Sequence, residues 1–419
     1  MKTKYIAFCI AVIGAGVALL HYRPSRKGID DPVTFLQEYV RIHTVQPKPD
    51  YAAAVSFLKN QAAADGFVTQ EIPLSSGLPA LIITRPGTDP HLPALALNHH
   101  MDVVPVGDAK LWKQPPFEGR VVDGVIYGRG TQDMKGVGVA HYFALRALKD
   151  KPLKRTVHII AVPDEEVGGF KGAQLLMKTE PFKKLNIGFA LDEGVPSNEK
   201  TTLLIKVAER KPIQIRLTAK GIQGHGSKLL CDNPIGTLAP VLARIAQFQE
   251  TQKSKAQNVD PGTLLSMNIT SLEAGVVNQG KVALNAVPAT ACATVDVRVP
   301  PTMTMAQGHE VIRSLIGSTP VTYEVLATIE DPRAVDQEQG DLMYEQLAQA
   351  IATEQLETSP LYFEATTDLR YYQHEGIVGL GFTPFTCPDN LHGIDEAVPV
   401  QDLERGVRIM REFLLKFCA

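Results

Sequence analysis

Short apolar runs in this chain stop, repeatedly, at an acid or a histidine. Residues 92–98 lead into His99-His100, residues 156–162 into Asp164-Glu165-Glu166, and residues 187–191 into Asp192-Glu193. Each run is short and bounded by Pro, Gly or polar residues, the pattern of a buried strand. Residues 34–44, 52–65 and 137–148 space their apolar side chains as helices do. Strands alternating with helices predict an α/β fold, a mostly parallel sheet flanked by helices on both faces. Open sheets of this kind carry their sites at the carboxyl ends of strands, which is where these acids and imidazoles fall.

The texture changes near Glu209. Residues 212–219 alternate like a half-buried strand. Residues 233–250 read as a helix, with Asp232 or Asn233 as cap and Pro234 in the first turn. Strands at 264–272 and 288–299, a helix at 303–315 and a strand at 321–327 complete a β-α-β-β-α-β unit. The expected organisation is a main domain from residues 29–208 and 329–419 with an inserted domain at 209–328.

Composition narrows the function. A net charge of −3 with both signs scattered leaves no nucleic-acid footprint. Five widely spaced cysteines form no C-x-x-C pair and no disulfide framework. Residues 5–20 are apolar between Lys2, Lys4 and a basic stretch starting near His21. This favours an uncleaved membrane anchor over a cleaved export signal and leaves orientation open.

Residues two apart on a strand share a face, so His100 and Asp102 are expected to point together, Asp102 orienting the ring of a metal-bound His100. His99 has no such partner. Alone, this triplet also fits an ordinary loop. The stretch Gly128–Gly136 turns tightly before a helix and offers Asp133, whose two oxygens can bridge two cations or simply cap the helix. Gly136-Val137-Gly138 does not complete a phosphate loop. Adjacent Glu165 and Glu166 divide two tasks that one carboxylate cannot do together: one binds metal, the other holds a water. Asp192 ends a further run, and His392 follows a Pro-rich loop. It is their joint occurrence that points to a metal-dependent hydrolase.

The segments HHMDVVPV, IYGRGTQDMKG, HIIAVPDEEVGG, FALDEG, GIQGHGS, NAVPA, ATTDLRY and LHGIDE follow one another in this order. In them the chain resembles the zinc-dependent aminoacylase/carboxypeptidase metallopeptidase family, and within it the aminoacylases. The resemblance covers nearly everything from about residue 30 onward; the run 5–20 falls outside it. It implies two divalent ions, Zn2+ by expectation with Co2+ or Mn2+ possible, bridged by Asp133. His100 and Asp192 would complete one ion's shell, Glu166 and His392 the other's. Glu165 would be the general base, and the peptide bond after Asp133 would be cis. His225 would stabilise the oxyanion from a partner subunit of a homodimer, making the inserted domain a lid and dimerisation unit. Asn285 would contact substrate and Arg370 would clamp its carboxylate. The implied substrate is an N-acyl-L-amino acid or, alternatively, a short peptide with a free carboxyl terminus. A non-catalytic binding protein on the same fold should have lost a ligand or the base, and every such position here is filled.

Overall fold

The computed structural model describes residues 28–333 and 337–419. The main sheet is built from β1 (Val68–Pro73), β2 (Pro79–Arg85), β3 (Ala94–His100), β4 (Val157–Val162), β5 (Ile187–Asp192), β6 (Thr202–Glu209), and, after the inserted unit, Glu357–Phe363 and Val378–Phe382. The inserted unit holds β7 (Lys211–Lys220), β8 (Ser266–Ala274), β9 (Thr290–Val299) and β10 (Val321–Thr328), so the two late strands are β11 and β12. The eight main strands lie in the order β1-β2-β4-β3-β5-β12-β6-β11. At its centre β4, β3, β5 and β12 run parallel; β1, β2 and the β12–β6 pairing are antiparallel, so the sheet is mixed.

Both faces of the sheet are covered, and strand alternation divides them. Leu81, Ile83, Leu95 and Leu97 face a core shared with α1 (Pro32–Arg41), α2 (Tyr51–Ala64), α3 (Lys135–Arg146) and the closing helix Val400–Cys418. Ala80, Ile82 and Ala96 face the other way, onto Leu176, Phe182 and Tyr372. The closing helix packs on α3 through Ile409, Met410, Phe413 and Leu414, all fully buried. Each such side chain contributes about 1.5–3 kcal/mol. Local sequence sets the helix starts: Asp31 and Asp50 accept N–H bonds from Thr34 and Ala53, and Pro32 opens α1.

The glycines after Asp133 serve close packing. A Cβ on Gly138 would sit 2.6 Å from the His99 ring, and one on Gly136 would sit 2.1 Å from the Thr131 carbonyl. Their absence lets α3 lie directly on β3, so the loop carrying Asp133 meets the end of the strand carrying His100.

In the inserted unit the four strands form an antiparallel sheet of order β8-β9-β7-β10. Ile213, Ile215, Leu217 and Ala219 alternate into a core of their own with Val295, Val297 and residues of two helices. Those helices are Pro234–Lys255, capped by the Asn233 side chain, and Met305–Ile316, closed by a Thr304–Gln307 capping box. Among the described residues no helix is long and apolar enough to cross a membrane. The expected anchor at 5–20 lies outside them.

Candidate metal centre

Because β4, β3 and β5 are parallel neighbours, their carboxyl ends open on the same edge. His100 is the last residue of β3, Glu165 and Glu166 follow β4, and Asp192 ends β5 with Glu193 next. The Asp133 loop and the loop of His392 close over this edge. The Asp133–Met134 peptide bond is cis.

Asp133 stands at the centre. Its Oδ1 lies 2.9 Å from His100 Nε2 and its Oδ2 lies 3.1 Å from His392 Nε2. Glu166 Oε2 is 3.1 Å from His392 Nε2, and Glu193 Oε2 is 3.5 Å from His100 Nε2. Two groups result, each able to hold a cation: His100, Asp133 and Glu193, and Asp133, Glu166 and His392. The one residue common to both is Asp133, with one oxygen turned to each side.

Two expectations are corrected. Asp192 does not join His100. Its Oδ1 accepts from Asn98 Nδ2 at 2.9 Å, and its Oδ2 is buried with no protein partner. Glu193, the first residue past the strand, reaches His100 instead. Nor does the Asp102 carboxylate orient His100: the ring Nδ1 meets the main-chain carbonyl of Asp102 at 2.9 Å. The Asp102 carboxylate instead accepts the N–H groups of Glu165 and Glu166, at 3.3 and 3.2 Å, and Gln46 Nε2 at 2.8 Å. It orders the two glutamates rather than the imidazole. His99 points to Tyr39 and α3.

Electrostatics mark the centre as built for positive charge. Burial, then the neighbouring Asp133, pushes the Glu166 carboxyl up to about 7 and that of Glu193 up to about 8. Glu165 is raised well above the ordinary range by burial, then by Glu193 and Asp368. Asp133 goes the other way. Burial opposes its charge, but hydrogen bonds from His100 and His392 hold it low. His392 is lifted to about 10 by its bonds to Asp133 and Glu166. Glu166 Oε1 is buried with no protein partner. Crowded carboxylates, an orphaned oxygen and two imidazoles fit a pair of divalent ions, whose charge offsets the mutual repulsion.

Above the centre lies a cleft of about 420 Å³ lined by Glu165, Glu166, Phe170, Arg298, Arg370 and His392, among others. Arg370 donates to the Gly168 carbonyl at 2.6 Å and has its Nε buried without a partner. Arg298, which sequence reasoning missed, is braced by both oxygens of Asp296, at 2.6 and 3.1 Å. Its signal was available: it sits on β9, inside a strand otherwise rich in apolar residues. His225 and Asn285 are exposed on the inserted unit, 3.5 Å apart through Nε2 and Nδ2. Among the described residues lining the cleft, neither of them appears.

Residues 96–416 match peptidase family M20/M25/M40, and the chain belongs to that family. It is 37% identical over 398 residues to aminoacylase-1 of Sus scrofa, covering 93% of this chain and 96% of that one. To aminoacylase-1 of Homo sapiens it is 35% identical over 391 residues, covering 91% and 94%. Among solved structures it resembles an M20 family metallo-carboxypeptidase from Sulfolobus solfataricus, with a TM-score of 0.71 at 17% identity, over 93% of this chain and 99% of the other. That last likeness speaks for the fold.

Exchanging the two residues at the end of β5 separates their roles. Glu193→Gln is expected to lose one equivalent of bound ion, the one beside His100, while Asp192→Asn keeps both. Metal analysis of the purified variants decides, and the opposite result restores Asp192 to the centre.

Proposed function

We propose that this chain is a two-metal amidohydrolase that cleaves N-acyl-L-amino acids to a carboxylate and a free amino acid. The observation that carries the reading is the Asp133 carboxylate set between two triads, with Glu165 lining the arginine-bearing cleft that Glu166 and His392 also line. The relatives reported above at 35% and 37% identity are aminoacylases, which favours an N-acyl amino acid over a peptide.

His100, Asp133 and Glu193 would hold one ion; Asp133, Glu166 and His392 the other. When bound, such ions polarise an acyl carbonyl and acidify water. Zn2+ suits the mixed N/O donors, as do Co2+ and Mn2+. Glu165 takes a proton from the attacking water and returns it to the nitrogen of the leaving amino acid as the C–N bond breaks. Arg298 and Arg370 supply positive charge for the substrate's free carboxylate. Metal analysis combined with a panel of N-acetyl amino acids and dipeptides tests the reading. Two equivalents of ion and preference for the acyl substrates are expected. A preference for dipeptides overturns the substrate, and protein that binds no divalent ion overturns the whole.

The exposed pair His225 and Asn285 suits action on a second copy's cleft, with His225 donating to the oxyanion. Mixing a Glu165→Gln protomer with a His225→Ala protomer should then restore activity in the heterodimer, toward a quarter to a half of the wild-type rate on the order of one intact site per dimer. Demonstrated heterodimers without rescue place His225 in its own protomer's site or outside catalysis. The apolar run 5–20 with its basic flanks is proposed to tether or export the chain. Alkaline extraction of membranes, compared with the secreted fraction, distinguishes the two.

A further inference from the structure

His392 presents a problem of support. Its side chain is 57% exposed, it sits in a turn rather than on a strand, and its backbone has a φ of 60°. Yet its Nε2 must be held 3.1 Å from both Asp133 and Glu166. A side chain so placed wanders unless something fixes the main chain beneath it.

We infer that the buried pair Arg129–Glu396 is a positioning device that locks the His392 loop to the Asp133 loop and thereby sets how tightly the His392-side ion is held. Arg129 Nη2 donates to the carbonyls of His392, at 3.2 Å, and Gly393, at 2.9 Å. Its Nη1 donates to Glu396 Oε2 at 2.7 Å. The Glu396 carboxylate, fully buried, accepts the N–H groups of Gly130 at 3.0 Å, Gln132 at 2.7 Å and Asp133 at 3.1 Å. One ion pair therefore grips the main chain at the bridging aspartate and at the outer histidine together. The Trp112 ring, 5.1 Å from the guanidinium carbon, helps seat Arg129.

A buried ion pair is weak ground for a stability argument, since apolar residues often serve as well. Apolar residues cannot accept three N–H groups from one loop and donate to two carbonyls of another. Groups that hold metal ligands in place without touching the ion commonly change its affinity by about 10–100-fold. Glu396 and Arg129 have that relation to both loops. The inference rests on the two-ion reading above and adds to it a determinant of unequal affinity at the two sites.

The test titrates Co2+ into the full chain stripped of metal, followed by calorimetry and by the cobalt absorption spectrum. Arg129→Lys keeps the charge but loses the forked reach to the His392 and Gly393 carbonyls. Glu396→Gln keeps the shape but loses the charge. Both variants should weaken the second, His392-side site by about 10–100-fold and leave the His100-side site tighter than it. Asp65→Asn serves as control. Its carboxylate accepts from the Tyr142 hydroxyl at 2.6 Å and pairs with Arg146 at 2.9 Å, touching neither ligand loop, so both affinities should stay as they are. Equal weakening at both sites in Arg129→Lys, unchanged affinities in folded variants, or failure of both variants to fold without metal overturns the inference. The last outcome would make the pair a fold residue. Wild-type chain that takes up fewer than two ions brings down the underlying reading as well, and the wild-type titration shows this separately.

Discussion

Glu165→Gln is expected to lower kcat by about 10²–10⁴-fold while the metal content stays at the wild-type level. The amide matches the carboxylate in shape but cannot accept a proton from water at neutral pH. Three neighbouring carboxylates are already engaged. Glu166 is engaged with His392, Glu193 faces His100, and the Asp102 carboxylate is occupied by the N–H groups of Glu165 and Glu166. Because Glu165 belongs to neither triad, its change should not disturb ion binding. The two readouts together identify the role. A large fall in turnover with intact metal marks a general base, loss of metal marks a ligand, and a near-normal rate removes Glu165 from the chemistry.

Asp133→Asn should abolish tight binding of both ions at once. No other residue among those described belongs to both triads, so removing its charge takes a donor from each. The amide leaves one oxygen, and that oxygen can face only one side. The consequence is visible without an activity assay. An ion at about a thousand times its dissociation constant stabilises the native state by about 4 kcal/mol. Wild-type chain should therefore show a rise in Tm on adding Zn2+ or Co2+, and Asp133→Asn should lose most of it. By contrast, Glu193→Gln should lose only one ion's share. A variant that retains two tightly held ions shows that Asp133 is not the bridge.

Much of this centre could be read along the chain because chemistry at a strand end is a local signal. His100, Glu165 and Glu166 each follow an apolar run, and Asp133 sits where glycines permit a tight approach before a helix. The inserted unit was legible for the same reason: β7 and β9 alternate with a period of two, and Asn233 with Pro234 announces a helix start. Strands that break the rules were not seen. β1 is an exposed edge with Gln70 and Glu71, and β11 is an edge with Pro360, tolerated there because an edge strand can spare a donor. β6 carries Lys206 at its centre, wholly buried and neutralised by Glu209 at 3.1 Å, a partner no hydrophobic pattern reveals.

The order of residues by itself determined which donors the protein would bring to one edge of a sheet, because a buried strand must deliver its last side chains to that edge. Which of two adjacent acids faces the cavity was a tertiary matter. Only the fold set Glu193, just past β5, beside His100 while Asp192 bonds Asn98. The same holds for Asp102, whose carboxylate reaches the glutamates after β4, and for Arg129 and Glu396, 267 positions apart and joined at 2.7 Å. Sequence specifies the chemical groups; contacts across that distance exist only once the sheet and its loops have closed.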